Sequence, residues 1–139
     1  MAQRLFVDTS VWFAAANLAD VANERAKLII RSGDFLIVSD HVLVEAWRLI
    51  RSKVSRQAAE RFWEGIRSGA ATVEHVGPQD LEAAWQIGLS FPDQDFSIVD
   101  RTSFALMLRL GIERVASFDH HFAVFRFGPN RRRTLTLVR

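Results

Sequence analysis

Cysteine is absent from the 139-residue sequence, so neither a disulfide nor a thiolate metal site is available, a pattern that suits a reducing compartment. No apolar run approaches the length needed to cross a bilayer, and Asp8 interrupts the only N-terminal apolar segment resembling a signal peptide. A soluble, cytoplasmic protein is the expectation. Internal repeats, linkers and low-complexity tracts are also missing, so residues 1–139 are expected to form a single domain. A surplus of one charge sign is nearly missing too: 18 Lys and Arg face 16 Asp and Glu, a formal charge of +2. The pI near 9.9 therefore reflects arginine's high pKa more than a basic surface, and it hints only faintly at nucleic acid. What remains is globular: 49 % apolar and 24 % charged residues, enough to bury a real core.

Short apolar runs alternate with helical patterns. Arg4-Leu5-Phe6-Val7 reads as a buried strand whose carboxyl end delivers Asp8 into a turn. Helical segments follow through Ala16 and from about Asp20 to Gly33. Phe35–Val38 reads as a second strand, and Ser39-Asp40 caps a helix running to about Ser52. On that helix Val42, Leu43, Ala46, Trp47, Leu49 and Ile50 form the core face, and Glu45 sits on its border, where a side chain can look into a cleft. Further helices are expected at about 56–67 and 80–90, with strands at 72–76, 114–118 and 134–138. The 114–118 strand again ends in an acid, Asp119. This alternation predicts an α/β fold, a three-layer α/β/α sandwich around a mostly parallel sheet.

The stretch Asp93–Gly111 carries the residue that most needs explaining. Its helix, about Ser97 to Leu110, is apolar almost all the way round, the pattern of a helix enclosed by protein, yet Asp100 lies in its first turn. A carboxylate in so apolar a setting is costly unless a helix N-terminus, a side-chain cation or a metal compensates it. One account is a capping box, because Ser97-x-x-Asp100 has the required spacing. The other is a shared site. Open parallel sheets bind ligands beyond the carboxyl ends of their strands, the edge that Asp8, Glu45, Asp100 and Asp119 would all reach. Gathered carboxylates persist only if some protonate or cations bridge them, and all-oxygen ligands favour Mg²⁺ or Mn²⁺. Metal-assisted phosphodiester hydrolysis suits such a cluster. Thr9 or Ser10 would steady a carboxylate or cap the following helix, and Asp95 would lie at the rim.

The segments Val7-Asp8-Thr9-Ser10, Asp95-Phe96-Ser97-Ile98-Val99-Asp100-Arg101-Thr102-Ser103-Phe104-Ala105-Leu106-Met107 and Ser117-Phe118-Asp119-His120-His121-Phe122, with an acid midway along the 40–52 helix, resemble the PIN-domain ribonucleases, particularly VapC-type toxins of toxin–antitoxin pairs. The resemblance spans essentially the whole chain. It implies a Mg²⁺- or Mn²⁺-dependent endoribonuclease in which Asp8, Glu45, Asp100 and Asp119 form the acidic site, with metal held by Asp8, Asp100 and Asp119 and with Thr9 or Ser10 as the accompanying hydroxyl. It also implies a homodimer, an antitoxin that covers the site, and structured RNA such as tRNA or rRNA as substrate. Ser117-Phe118 departs from the pattern, since many relatives place a Thr and a second polar residue there.

Other candidates are weaker. His41 and Glu45 share a helix flank at metal-pair spacing or are simply a solvated histidine beside an acid. His120 and His121, being adjacent, are expected to point apart and to make a poor shared metal site, although His120 is a candidate RNA contact. Arg131, Arg132 and Arg133 would bind phosphate or form a solvated turn. The tryptophans are read as core or dimer interface. The alternative to a nuclease is a catalytically inactive RNA-binding or protein-interaction module on the same fold. A phosphoryl-transfer reading through Asp8 as nucleophile is disfavoured by Ser at position 10, where a second acid is usual.

Overall fold

Strand β1 (Arg4–Val7) lies at the centre of a five-stranded sheet in the computed structural model, which describes residues 2–139. In chain order there follow α1 (Thr9–Ala16), α2 (Asn23–Ile30), β2 (Phe35–Ser39), α3 (Asp40–Lys53), α4 (Arg56–Gly65), β3 (Thr72–Glu74), α5 (Pro78–Ser90), α6 (Ile98–Leu110), β4 (Arg114–Ala116), α7 (His121–Val124), β5 (Arg126–Phe127), β6 (Arg133–Thr134) and β7 (Thr136–Val138). The sheet order is β3-β2-β1-β4-β7, and every pairing in it is parallel. Successive strand residues face opposite ways, yet Leu5, Phe6 and Val7 are all buried, as are Leu36, Ile37 and Val38. Both faces are therefore covered by helices, giving three α/β/α layers, and the uninterrupted apolar runs are what a doubly covered sheet requires.

Topology then places the site. From β1 the chain builds outward through β2 and β3, then returns to β1's other side as β4 and β7. The reversal lies between β1 and β4, which pair as Phe6 with Val115 and Val7 with Ala116. One more bond, Asp8 N–H to the Ala116 carbonyl at 3.0 Å, carries the ladder to the strand ends. Beyond it the two chains diverge and leave a crevice.

Helix starts are capped where the sequence suggested. Ser39 Oγ accepts the Val42 amide at 2.9 Å and Ser55 Oγ accepts that of Ala58 at 3.0 Å. Gly111, at φ 70°, ends α6 in the left-handed conformation. Some boundaries differ. The expected continuation of α4 to Arg67 is instead a wider π turn (Ile66–Ala70) containing Gly69 at φ 104°. Helix α5 starts at Pro78, earlier than expected, because proline suits the first helical position and the Gly77 amide is bonded to the Asp80 carboxylate at 2.9 Å. The β3 and β4 strands are shorter than expected, and neither the single turn α7 nor the antiparallel β5–β6 ribbon was foreseen. Helix α6 is not enclosed all round: Thr102–Met107 are buried, but Ile98 is 64 % exposed.

An ion pair between buried Asp80 and exposed Arg109 ties α5 to α6. Arg109 Nε and Nη2 donate to the two oxygens of Asp80, at 2.7 and 3.0 Å, and Asp80 is almost fully buried. The guanidinium holds the Asp80 carboxyl below the usual carboxylate range. Asp80→Ala removes these charge-assisted bonds together with the cap on Gly77, and is expected to lower the unfolding free energy by about 2 kcal/mol. Urea unfolding followed by circular dichroism measures this, and an unchanged midpoint refutes it.

Candidate active site

Asp8 occupies the N-cap of α1 and sits directly beyond β1. It is 4 % exposed, and its Oδ2 accepts hydrogen bonds from Ser10 Oγ at 2.8 Å and Ser117 Oγ at 2.9 Å. Ser117, wholly buried, comes from the end of β4 and also accepts the Asp119 amide at 3.0 Å. Ser10 Oγ in turn accepts the Phe118 amide at 3.0 Å. These bonds lace the two strand ends together. Even so, burial pushes the Asp8 carboxyl up to about 6, against the pull of the two hydroxyls and with some help from the Asp100 charge.

Asp100 completes the cap that the sequence offered, and it also lines a cavity shared with the other acids. Its Oδ2 accepts the Ser97 amide at 3.1 Å while Ser97 Oγ accepts the Asp100 amide at 3.0 Å, a complete capping box. The same Oδ2 lies 3.0 Å from His121 Nδ1. Burial and the Asp119 charge raise the Asp100 pKa, against the amide of Ser97 and the His121 ring.

One cavity of about 340 Å³ gathers these groups, lined by Asp8, Thr9, Ser10, Glu45, Leu49, Asp95, Ser97, Asp100, Asp119 and His121. All four expected acids thus meet in one space, with Asp95 at the wall supplied by the loop before α6. None of the lining residues is Lys or Arg. Thr9 and Ser10 differ in what they do: Ser10 is committed to Asp8 and Phe118, whereas the Thr9 hydroxyl is buried in the cavity wall with no hydrogen-bond partner.

His41 lies in a neighbouring groove that Glu45 also lines rather than in the acidic cavity, and its Nδ1 is 3.3 Å from Thr102 Oγ1. Arg131, Arg132 and Arg133 do not line the cavity. Arg131 donates to the Ser90 carbonyl at 3.0 Å and covers the Phe91 ring, and Arg133 pairs with Glu113. Of the tryptophans, Trp12 is core, while Trp63 and Trp85 are 45 % and 60 % exposed.

The expectation that His120 and His121 point apart is wrong. Neighbouring side chains oppose one another in a strand, but His120 is helical at φ −63° and ψ −19° and leads into α7. The two rings lie 4.4 Å apart, and their Nδ1 atoms are 3.6 and 3.5 Å from the same Asp119 oxygen. Ser117, read from sequence as a departure from the family pattern, and His121, read as half of a poor metal pair, both contribute polar atoms to the site. His121 carried a signal nonetheless, standing two residues after an acid at a strand end.

The donor set fits a hard divalent cation. Carboxylates from four separate elements share a partly buried space, no arginine or lysine offsets them, burial already strains two of them toward the neutral form, and a buried hydroxyl lacks a partner.

Comparisons with known proteins converge with this geometry. A family profile described as PIN domain matches residues 5–128. The chain is 35 % identical over 124 residues to the 23S rRNA-specific endonuclease VapC20 of Mycobacterium tuberculosis, an alignment covering 88 % of this chain and 95 % of that protein. The crystal structure of M. tuberculosis VapC20, described as a sarcin–ricin loop cleaving toxin, superposes with a TM-score of 0.81 at 34 % identity, covering 86 % of this chain and 93 % of that one. VapBC2 of Rickettsia felis superposes at 0.69 and covers 97 % of both chains, but at 10 % identity it shows a shared fold alone.

Proposed function

The chain belongs to the PIN-domain family, and from that membership we propose that it is a divalent-metal-dependent endoribonuclease, the toxin of a toxin–antitoxin pair, that hydrolyses phosphodiester bonds in ribosomal RNA. The observation that carries the reading is the cavity into which Asp8, Glu45, Asp100 and Asp119 project with no lysine or arginine beside them.

In this reading Asp8, Asp100 and Asp119 hold Mg²⁺ or Mn²⁺. When bound, the dication activates water for attack at phosphorus and neutralises charge on the leaving oxygen. The chain's own groups supply the rest. Ser10 and Ser117 clamp the Asp8 carboxylate in one orientation, and the capping box does the same for Asp100. Glu45, reaching in from α3, orients the attacking water and accepts its proton. The Thr9 hydroxyl donates to an oxygen within the cavity. Asp95 lines the entrance from the α6 side.

A second groove, about 560 Å³, shares Glu45 and Leu49 with the acidic cavity and adds His41, Arg48 and Ser52. It offers a path along which the RNA backbone approaches the acids with a guanidinium to meet its phosphates. His120, 77 % exposed beside Asp119, is a further RNA contact in this reading, as is exposed Arg132 in the connection between β5 and β6. A homodimer and an antitoxin complete the proposal. The exposed stripe Leu81, Trp85 and Leu89 on α5, spaced one helical turn apart, supports burial against a second copy. Among the described residues no helix is long and apolar enough to cross a membrane, and a ribosomal substrate supports a cytoplasmic location.

Incubating the protein with 23S rRNA in Mn²⁺ or Mg²⁺ and mapping the new ends by sequencing tests the proposal. The expected result is a single cut in the sarcin–ricin loop, abolished by EDTA and restored by excess Mn²⁺. Intact RNA with either ion, or cleavage that EDTA leaves untouched, overturns it.

A further inference from the structure

We infer that the cation site is not all-oxygen: His121 contributes Nδ1 as a ligand beside Asp100 and Asp119, biasing the centre toward Mn²⁺ and the later first-row ions over Mg²⁺. The inference rests on the metal-site reading above. His121 Nδ1 lies 3.0 Å from Asp100 Oδ2 and 3.5 Å from Asp119 Oδ1. In an octahedral shell with bonds of about 2.1 Å, neighbouring ligand atoms stand roughly 3.0 Å apart. The His121 nitrogen therefore stands close to adjacent-ligand spacing from each of the two carboxylates.

The ring is also held there. The Asp119 side chain accepts the His121 amide at 2.9 Å and fixes the start of α7. The Phe96 ring meets the imidazole edge-on at 5.2 Å, with an interplanar angle of 84°, and the His121 side chain is only 17 % exposed. His120 is a poorer candidate, although Asp119, His120 and His121 all bring ligand atoms within 4.8 Å of one another. It is 77 % exposed, and its Nδ1 stands 3.6 Å from the Asp119 oxygen. A second, independent observation supports a ligand in the same space: the buried, unpartnered hydroxyl of Thr9, a residue that lines the same cavity. Imidazole suits the transition metals, whereas Mg²⁺ prefers carboxylate and water, so a nitrogen among the ligands changes which ion is retained.

The experiment is electron paramagnetic resonance of Mn²⁺ bound to the full chain, with pulsed detection of coupling to a histidine nitrogen. Wild-type protein is expected to show that coupling. His121→Asn, which places an amide where Nδ1 stood, is expected to remove it and to lower Mn²⁺ affinity by about tenfold, with a smaller loss for Mg²⁺. His120→Asn is expected to keep the coupling. Bound Mn²⁺ without nitrogen coupling, a coupling that survives in His121→Asn, or one lost in His120→Asn instead overturns the ligand assignment while leaving the acidic metal site intact. Failure of wild-type protein to bind Mn²⁺ at all overturns the metal-site reading and this assignment together.

Discussion

Asp100→Asn is expected to reduce RNA cleavage by about a thousandfold while leaving the protein folded, a loss of roughly 4 kcal/mol of transition-state stabilisation. The reason lies in the two jobs of that side chain. As a cap, it needs only an oxygen that accepts the Ser97 amide, and asparagine has one; the reciprocal bond from the Asp100 amide to Ser97 Oγ is unaffected. In its proposed role as a cation ligand, it needs charge, which asparagine lacks. Fold and catalysis should therefore separate at this position. Asp8→Asn is expected to behave alike, because its amide oxygen can still accept from Ser10 and Ser117. Rates from labelled RNA in Mn²⁺, read beside circular-dichroism melting curves, decide the matter. Cleavage within tenfold of wild type in either variant would remove that carboxylate from the chemistry.

In the absence of divalent ions, Asp8→Asn is expected to be more stable than the wild type at pH 7.5 by an amount on the order of 3 kcal/mol, and the two proteins should converge near pH 4. Asp8 ionises at 3.8 in the unfolded chain and at about 6 in the folded one. Between these values the folded state holds a proton that the unfolded state has released, so the stability contributed by this group falls as pH rises. The penalty is complete above about pH 6 and absent below the unfolded value. Asp80 works in the opposite sense: Arg109 depresses its pKa, so its contribution is present at neutral pH and fades in acid. Subtracting wild-type from Asp8→Asn unfolding free energies across pH isolates Asp8 from that background. Addition of Mn²⁺ should then stabilise the wild type and close the gap at pH 7.5. A pH-independent difference, or a wild type more stable throughout, contradicts the burial argument.

The frame of the molecule was readable because apolar runs report burial directly. Leu5-Phe6-Val7 and Leu36-Ile37-Val38 have no polar residue among them, and strands covered on both faces need none. Asp8, Asp100 and Asp119 stand out because each ends an apolar run or starts an apolar helix, where capping alone accounts for a single acid but not for three that reach the same sheet edge. Glu45 was readable as a border position on an amphipathic helix. What escaped notice depends on contacts that no local pattern encodes. The Ser117 hydroxyl bonds to a carboxylate 109 positions away, and nothing in Ala116-Ser117-Phe118 announces it. The α7 turn spans four residues, too few to show helical periodicity, so adjacency alone predicts that His120 and His121 point apart, whereas the helical backbone at His120 brings the rings together. The π turn after α4 failed for a related reason, since Ile66 continues the apolar stripe of that helix while Gly69 ends it by backbone conformation.

Strands β1 and β4 are neighbours in the sheet yet come from opposite portions of the polypeptide. During translation the ribosome therefore releases Asp8 early and must synthesise more than a hundred further residues before Ser117 and Asp119 can join it. A nascent chain truncated anywhere in that interval carries one wall of the pocket and nothing to complete it. Only a chain finished nearly to the last strand holds both halves of the crevice.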